Sequence, residues 1–470
     1  MKAFLAIIAQ TVRSAVRAKV FHILFVLVLL AVFLLPMTVS GDGTLMGLVQ
    51  ISLTYSLGIV VALISTTTLW LSCSQLSREI ESYNIHFVLS KPVSRAMVWF
   101  GKWCGIFLMH TLILLISALL IFALIQFRVK YETSRGRFTQ AEVDKLDKEL
   151  RVGRRAFLPE PVNYEQQVSE EYKKGFEQYK SQSEESAKNS IRAKLRQKDG
   201  EVVPAGVKTW TYKNVTKDSD ILFLRYRVYS GGTQANSQKN IPAFWGIKDP
   251  SAPAGVTDPF SIFPSYVMSG TFQEIKLTPN CIDTNNGNSV TLRFYNPPKG
   301  SEFWRGTEAA SAIFQPADGP AILVAVSSFE SNYCRAILLA IFQIAFLAAL
   351  GCTVSAAFST PVAAFVAVTY LVIGLSVQAA IDAPIPNGDG TFMYQHFYDK
   401  PLHLFAIGMG KLVVSVNDLD ATSDLASGRL VEGKRLLDSF LWLLIFKTGL
   451  ISLIGVWILN KRELGAVIRK

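Results

Sequence analysis

The chain has 470 residues, half of them apolar, with a formal charge of +11, a pI near 9.3 and a mean hydropathy of +0.30. It is too long for one ordinary soluble domain, and its apolar residues gather in runs of the length a helix needs to cross a hydrocarbon core, roughly 20 residues for about 30 Å. The basic excess does not point to nucleic acid, because Lys and Arg flank the apolar runs instead of forming a patch interleaved with aromatics.

Residues 1 to 19 carry Lys2, Arg13, Arg17 and Lys19 and no acid, while Phe4, Ile7, Ile8 and Val12 recur at helical spacing. The pattern predicts an amphipathic helix at a membrane interface. A basic start before an apolar run also suits a secretory signal. The continuous run begins only near Val20, however, with no small-residue cleavage site before a soluble domain, so the segment is expected to be retained.

Membrane spans are predicted over roughly residues 20–38, 47–73, 103–127, 334–358, 361–381 and 437–459. About six spans put both termini on one side. The start, the 74–102 loop (Arg78, Lys91, Arg95, Lys102) and the tail (Lys461, Arg462, Arg469, Lys470) are basic, whereas Ser40-Gly41-Asp42-Gly43 is not. The positive-inside rule therefore makes the first three cytoplasmic and residues 128–333 extracytoplasmic. The expected fold is an α-helical polytopic membrane protein with an inserted α+β domain. Residues 1–127 hold the amphipathic helix and three spans, 128–333 the outer domain, and 334–470 the last three spans with an outer segment over 382–436.

Within the insert, residues 138–200 read as helical, with Val168, Tyr172, Phe176 and Tyr179, then Ala187, Ile191 and Leu195, three or four apart. Residues 208–330 switch to short β-branched and aromatic runs between Gly, Pro and Asn clusters, the signature of a β-sandwich or jelly roll. Trp210, Trp245 and Trp304 are either core residues or exposed platforms for sugar faces. Pro384, Pro386, Asn387, Gly388 and Gly390 break any helix in the last outer segment, and Leu402–Val416 is apolar but too short to cross, which suits an interfacial or re-entrant helix.

Chemistry is sparse. The five cysteines form no CxxC and no ligand cluster with His, so no metal site is predicted. Cys281 and Cys334 are open to a disulfide in an oxidising compartment, with the place of Cys334 at a helix start against it. HExxH and GxSxG are absent, and paired carboxylates such as Glu170-Glu171 fall on solvated helix faces. His22, His110, Gln343 and Lys447 lie within apolar runs, with Arg335 at a span start; His110 and Lys447 are the intramembrane polar candidates.

The informative stretch is the loop Ser77-Arg78-Glu79-Ile80-Glu81 through Phe87 to Leu89-Ser90-Lys91-Pro92-Val93-Ser94-Arg95, followed by Gly101-Lys102. Pro92 disfavours helix at Lys91, and Ser90 or Ser94 can cap a restart, giving a short helix that a soluble partner can grip. Acidic residues, then "LSKPVSR", then an aromatic and "GK" entering a span resemble the loop after the second helix of ABC-2-type permeases. Lys91, Pro92, Arg95 and Lys102 stand at that family's Pro-x-x-Arg and Gly-Lys positions.

The resemblance implies a coupling helix that docks on a separate nucleotide-binding subunit through Arg78, Glu79, Glu81, Phe87 and their neighbours. The basic start is similar to the family's connecting helix, and "NKRELG" to its usual terminus. About half the chain is covered, and the insert resembles a subset of bacterial permeases with enlarged outer domains. The implied protein is the permease subunit of an ATP-driven exporter in the cell membrane, paired with a second copy or a homologous chain.

No G-x-x-x-x-G-K-[ST] loop is present: Gly408-Met409-Gly410-Lys411 has Phe405 and Leu412 at the remaining motif positions. ATP and Mg are thus expected on the partner ATPase, with no cofactor on this chain and no enzyme activity of its own. The competing reading is a non-transporting scaffold or mechanotransmitter whose outer domain binds an envelope partner. Reversing Glu79 or Glu81 to Lys is expected to uncouple the ATPase without unfolding the chain.

Overall fold

The computed structural model describes residues 2–38, 43–90, 92–176, 184–216, 222–231, 240–252, 258–304, 309–315, 319–383, 385–386, 392–394, 398–414 and 421–462. Lys91, Tyr179, Ser40 to Asp42, Pro384, Asn387, Gly388, Gly390, Val416, the "ELG" of the terminal motif, Arg469 and Lys470 lie outside the described residues. From the N-terminus run α1 (Lys2–Arg17), α2 (Lys19–Thr38), α3 (Leu45–Glu81), α4 (Ile85–Leu89), α5 (Arg95–Ser134) and α6 (Gln140–Glu149). Strand β1 (Val152–Phe157), helices α7 (Glu165–Lys174) and α8 (Glu184–Gly200) and further strands follow. The chain closes with α9 (Phe329–Ala357), α10 (Thr360–Asp382), α11 (Asp399–Leu412), α12 (Thr422–Ala426) and α13 (Gly433–Lys461).

Two compact units result, one of Met1–Gly153, Ser327–Ile381 and Leu404–Lys470, the other of Arg154–Val326 and Asp382–His403. In the first, α3, α5, α9, α10 and α13 are each long and apolar enough to cross a membrane, and α1 with α2, bent by 71°, makes the sixth candidate. The bundle is built around α9, whose crossing window is 89% buried against 11% for α10. Small residues make that possible: a Cβ on Gly351 would collide with the Ser72 hydroxyl of α3.

Polar side chains tie neighbouring helices at depth. Tyr333 donates to the Ala118 carbonyl at 2.7 Å, Trp103 to Ala345 at 2.9 Å and Thr353 to Ile451 at 2.9 Å. Two crossings contain π-helical turns, Leu53–Leu57 in α3 and Ser439–Lys447 in α13. Ser94, one of the two serines expected to cap, accepts from the Met97 amide and starts α5.

The second unit is a two-sheet sandwich with flanking helices. Before α9 its strands are β1, β2 (Glu201–Val202), β3 (Val207–Tyr212), β4 (Leu222–Arg227), β5 (Tyr229–Ser230), β6 (Asn240–Lys248), β7 (Phe260–Met268), β8 (Phe272–Leu277), β9 (Val290–Tyr295), β10 (Ala312–Ile313) and β11 (Ala321–Ser328). One sheet has the order β1-β11-β4-β8, the other β3-β9-β6-β7, and a small third sheet is β2-β10-β5. Register is set by inward apolar residues, as where Leu222 opposes Leu277 and Trp210 opposes Leu292. Trp245 of β6, fully buried, meets Tyr226 of β4 in the facing sheet with centroids 4.9 Å apart, and Phe294 at 5.2 Å.

One open reading is decided and one expectation corrected here. Trp210, Trp245 and Trp304 are 9%, 0% and 5% exposed, so they are core residues and no sugar platform. Val152–Phe157, assigned to the helical third of the insert, is a strand lying beside β11. Its Arg154 is buried because Glu274 pairs with it at 2.7 Å and the Phe223 ring lies 5.6 Å from its guanidinium. The remaining helical reading holds for α7 and α8, which bury Val168, Ala187 and Ile191 and are joined by Arg192 forked onto Glu165 at 2.7 and 2.9 Å. All five cysteines are free thiols.

Candidate partner-docking site

The charged loop and the amphipathic start converge on one end of the helix bundle. A groove of about 630 Å³ lies there between α1, the last turns of α3, and α4. Gln10 and Ser14 line it from α1, Gln75, Arg78 and Glu79 from α3, and Phe87 from α4. Its floor is polar yet closed, with Ser74 3% and Gln75 7% exposed.

The rim of the groove is open to solvent. Phe87 is 76% and Tyr83 52% exposed, while Arg78, Glu81 and Pro92 also face solvent. Tyr83 has φ of 59°, so the chain turns back sharply between α3 and α4. Tyr83 in the turn and Phe87 on the five-residue helix α4 thus leave two aromatics exposed beside the charges of Arg78 and Glu81, a composition suited to an interface.

Other residues of the sequence motif act inside the chain. Lys102 is only 1% exposed and forms an ion pair with Glu79, itself 14% exposed. Arg95 donates to the carbonyls of Leu459, Asn460 and Arg462 at 2.7, 2.9 and 2.9 Å, capping the end of α13. Arg462 in turn donates to Ala356 at the end of α9 at 2.5 Å. Ser77 and Thr360 share a hydrogen bond of 2.7 Å, linking α3 to α10. The loop is thereby bonded to the end of α13 and the start of α10, and through Arg462 the end of α13 is bonded to α9.

Sequence reasoning missed how α1 is held. Gly101 and Gly105 of α5 form a small-xxx-small step: a Cβ on Gly101 would come within 2.6 Å of Ile7, and one on Gly105 within 2.8 Å of Thr11. Ile7, Thr11 and Ala15 are accordingly the buried stripe of α1. The four-residue spacing of Gly101 and Gly105 was the available signal.

The intramembrane candidates have local partners. His110 is fully buried and its Nδ1 donates to the Ile106 carbonyl one turn back at 3.0 Å. Lys447, at the end of a π-helical turn, donates to the carbonyls of Gly410 and Val413 at 3.2 and 2.6 Å, where its charge meets the negative end of α11. Among the described residues no group of His, Cys, Asp or Glu is placed to hold a metal ion.

Residues 5–141 match the family model described as ABC-2 family transporter protein, which spans α1 through the start of α6, including the groove and the whole loop. The match does not extend over the sandwich. No curated protein and no solved structure matches the chain.

Proposed function

We propose that this ABC-2-type transporter protein is the permease subunit of an ATP-driven exporter, and that the groove between α1, α3 and α4 receives a separate ATPase. The observation that carries the reading is the division of labour within the loop. Its aromatic and charged rim is exposed, while Glu79, Arg95 and Lys102 fasten the same loop to the membrane helices. A push on Phe87 therefore reaches α5 through the ion pair and α13 through the Arg95 cap.

Closure of the ATPases around ATP supplies the push, and a rigid-body shift of the spans opens the pathway. ATP and Mg reside on the partner, because the chain has no phosphate-cradling loop. Two copies, or this chain and a homologous one, enclose the pathway. The basic residues of the loop support a groove on the cytoplasmic side and a sandwich on the outer side of the cell membrane.

The test is purification of the intact chain in mild detergent with mass spectrometry of its companions, for wild type, Phe87→Asp and Glu81→Lys. A Walker-motif ATPase present with wild type and lost from both variants supports docking at this rim. An ATPase retained equally by all three moves the docking site elsewhere, and none under any condition removes the transporter reading in favour of a scaffold.

A further inference from the structure

Helix α2 has 20 residues, enough to cross a bilayer alone, and α1 is turned 71° away from it, so α1 runs near the plane of the membrane surface. Burial divides the circumference of α1 into sectors. Ile7, Thr11 and Ala15 are buried, with Ile7 and Thr11 against Gly101 and Gly105 of α5. At about 100° per residue, the next sector round the helix holds Leu5, Ile8, Val12 and Val16, of which Leu5 is 58% and Val16 38% exposed. Beyond it stand Lys2, Arg13 and Arg17, all exposed, and beyond those Gln10 and Ser14 close the circle at the groove.

Two observations say what covers this face. Helix α1 has more apolar surface than its contact with α5 uses, and the unused part lies between that contact and the three cations. Among the described residues no carboxylate pairs with Lys2, Arg13 or Arg17, and α1 itself contains no acid. An apolar sector bordered by unpaired cations fits a helix resting in lipid headgroups, with the apolar side chains at the acyl boundary and the cations at phosphate depth. A soluble acidic partner would satisfy the charges and leave Leu5 and Val16 against water.

We propose that the ridge of Lys2, Arg13 and Arg17 binds the headgroups of anionic phospholipids at the membrane surface, with Arg13 and Arg17, one turn apart, sharing one phosphate. The choice of lipid follows from charge. A zwitterionic headgroup brings an ammonium with every phosphate to a ridge that has no carboxylate to receive it, whereas an anionic headgroup brings the phosphate alone. The inference does not depend on what occupies the groove.

The experiment is native mass spectrometry of the full chain released from nanodiscs of equimolar phosphatidylglycerol and phosphatidylcholine. Wild type should retain phosphatidylglycerol in preference. Arg13→Gln should lower the ratio of the two retained lipids about fivefold, the weight of one cation at an anionic surface, and Arg13→Gln with Arg17→Gln about twentyfold. Arg13→Lys with Arg17→Lys should keep most of the preference. The decisive variant is Arg13→Gln with Ser14→Arg, which leaves the net charge alone but moves one cation about 100° round the helix toward the groove. It should lose as much preference as Arg13→Gln. Equal retention of the two lipids by wild type overturns the proposal and leaves the ridge to a soluble acidic partner. A wild-type ratio in the charge-moving variant overturns it too, because net charge alone then accounts for the lipid. Every readout is independent of any ATPase.

Discussion

Glu79→Lys tests the internal ion pair most directly. Lys102 is 1% and Glu79 14% exposed, so neither charge has water enough to replace its partner. Removing one member of a buried pair costs about 3–5 kcal/mol, because the other is left uncompensated, and a lysine at 79 adds repulsion. For a domain of this size each kcal/mol moves the melting point about 2–4 °C, so the variant should melt about 6–20 °C below wild type. Replacing both partners, Glu79→Leu with Lys102→Met, should cost far less, since it removes the charges together. Glu81→Lys, at an exposed position, should stay within about 0.5 kcal/mol of wild type. The assay is heat-induced loss of the monodisperse protein in mild detergent. A Glu79→Lys protein that melts within error of Glu81→Lys would refute the buried pair. Reversal at Glu79 thus confounds docking with folding, contrary to the expectation from sequence, and reversal at Glu81 is the clean probe.

Gly105→Leu should lift α1 off α5 at a cost of about 1–3 kcal/mol, since even a Cβ there would come within 2.8 Å of Thr11. The readout is maleimide labelling of an Ala15→Cys thiol, shielded in the native helix contact and reactive in the double variant. Burial pushes the Cys281 thiol up to about 11 from 9.0. A protonated folded thiol above an ionised unfolded one means that stability is fully present below pH 9 and falls as pH rises from 9 to 11, by at most about 3 kcal/mol. Cys281→Ala should remove that slope, and an unchanged slope would exclude the thiol as its source. Cysteines placed at Phe87 and Leu158, both strongly exposed, should label from opposite faces of a sealed vesicle; labelling from one face would overturn the topology.

The crossings were legible because a continuous apolar run has few other destinations, but hydropathy does not tell which run its neighbours enclose, and α9 is 89% buried where α10 is 11%. Strand β1 was not legible. "VGRRAF" reads as a charged surface segment until Glu274, 120 residues away, neutralises Arg154. Lys447 was similar, because the carbonyls that receive its charge lie 34 and 37 residues earlier. At the groove, sequence marked the loop but not which residues face outward: Lys102 and Phe87 look equally available until the packing of α3 against α5 buries one and leaves the other at 76% exposure.

Helix α5 has 40 residues, and at about 1.5 Å per residue it is about 60 Å long, twice the thickness of a hydrocarbon core. It carries Arg95 and Lys102 at one end and Arg128 and Glu132 at the other. Such a rod is a lever: a tilt of about 10° about its middle moves each end by about 5 Å in opposite directions, roughly the pitch of one helical turn. A displacement imposed at the Arg95 end would reach the Arg128 end along one unbroken helix.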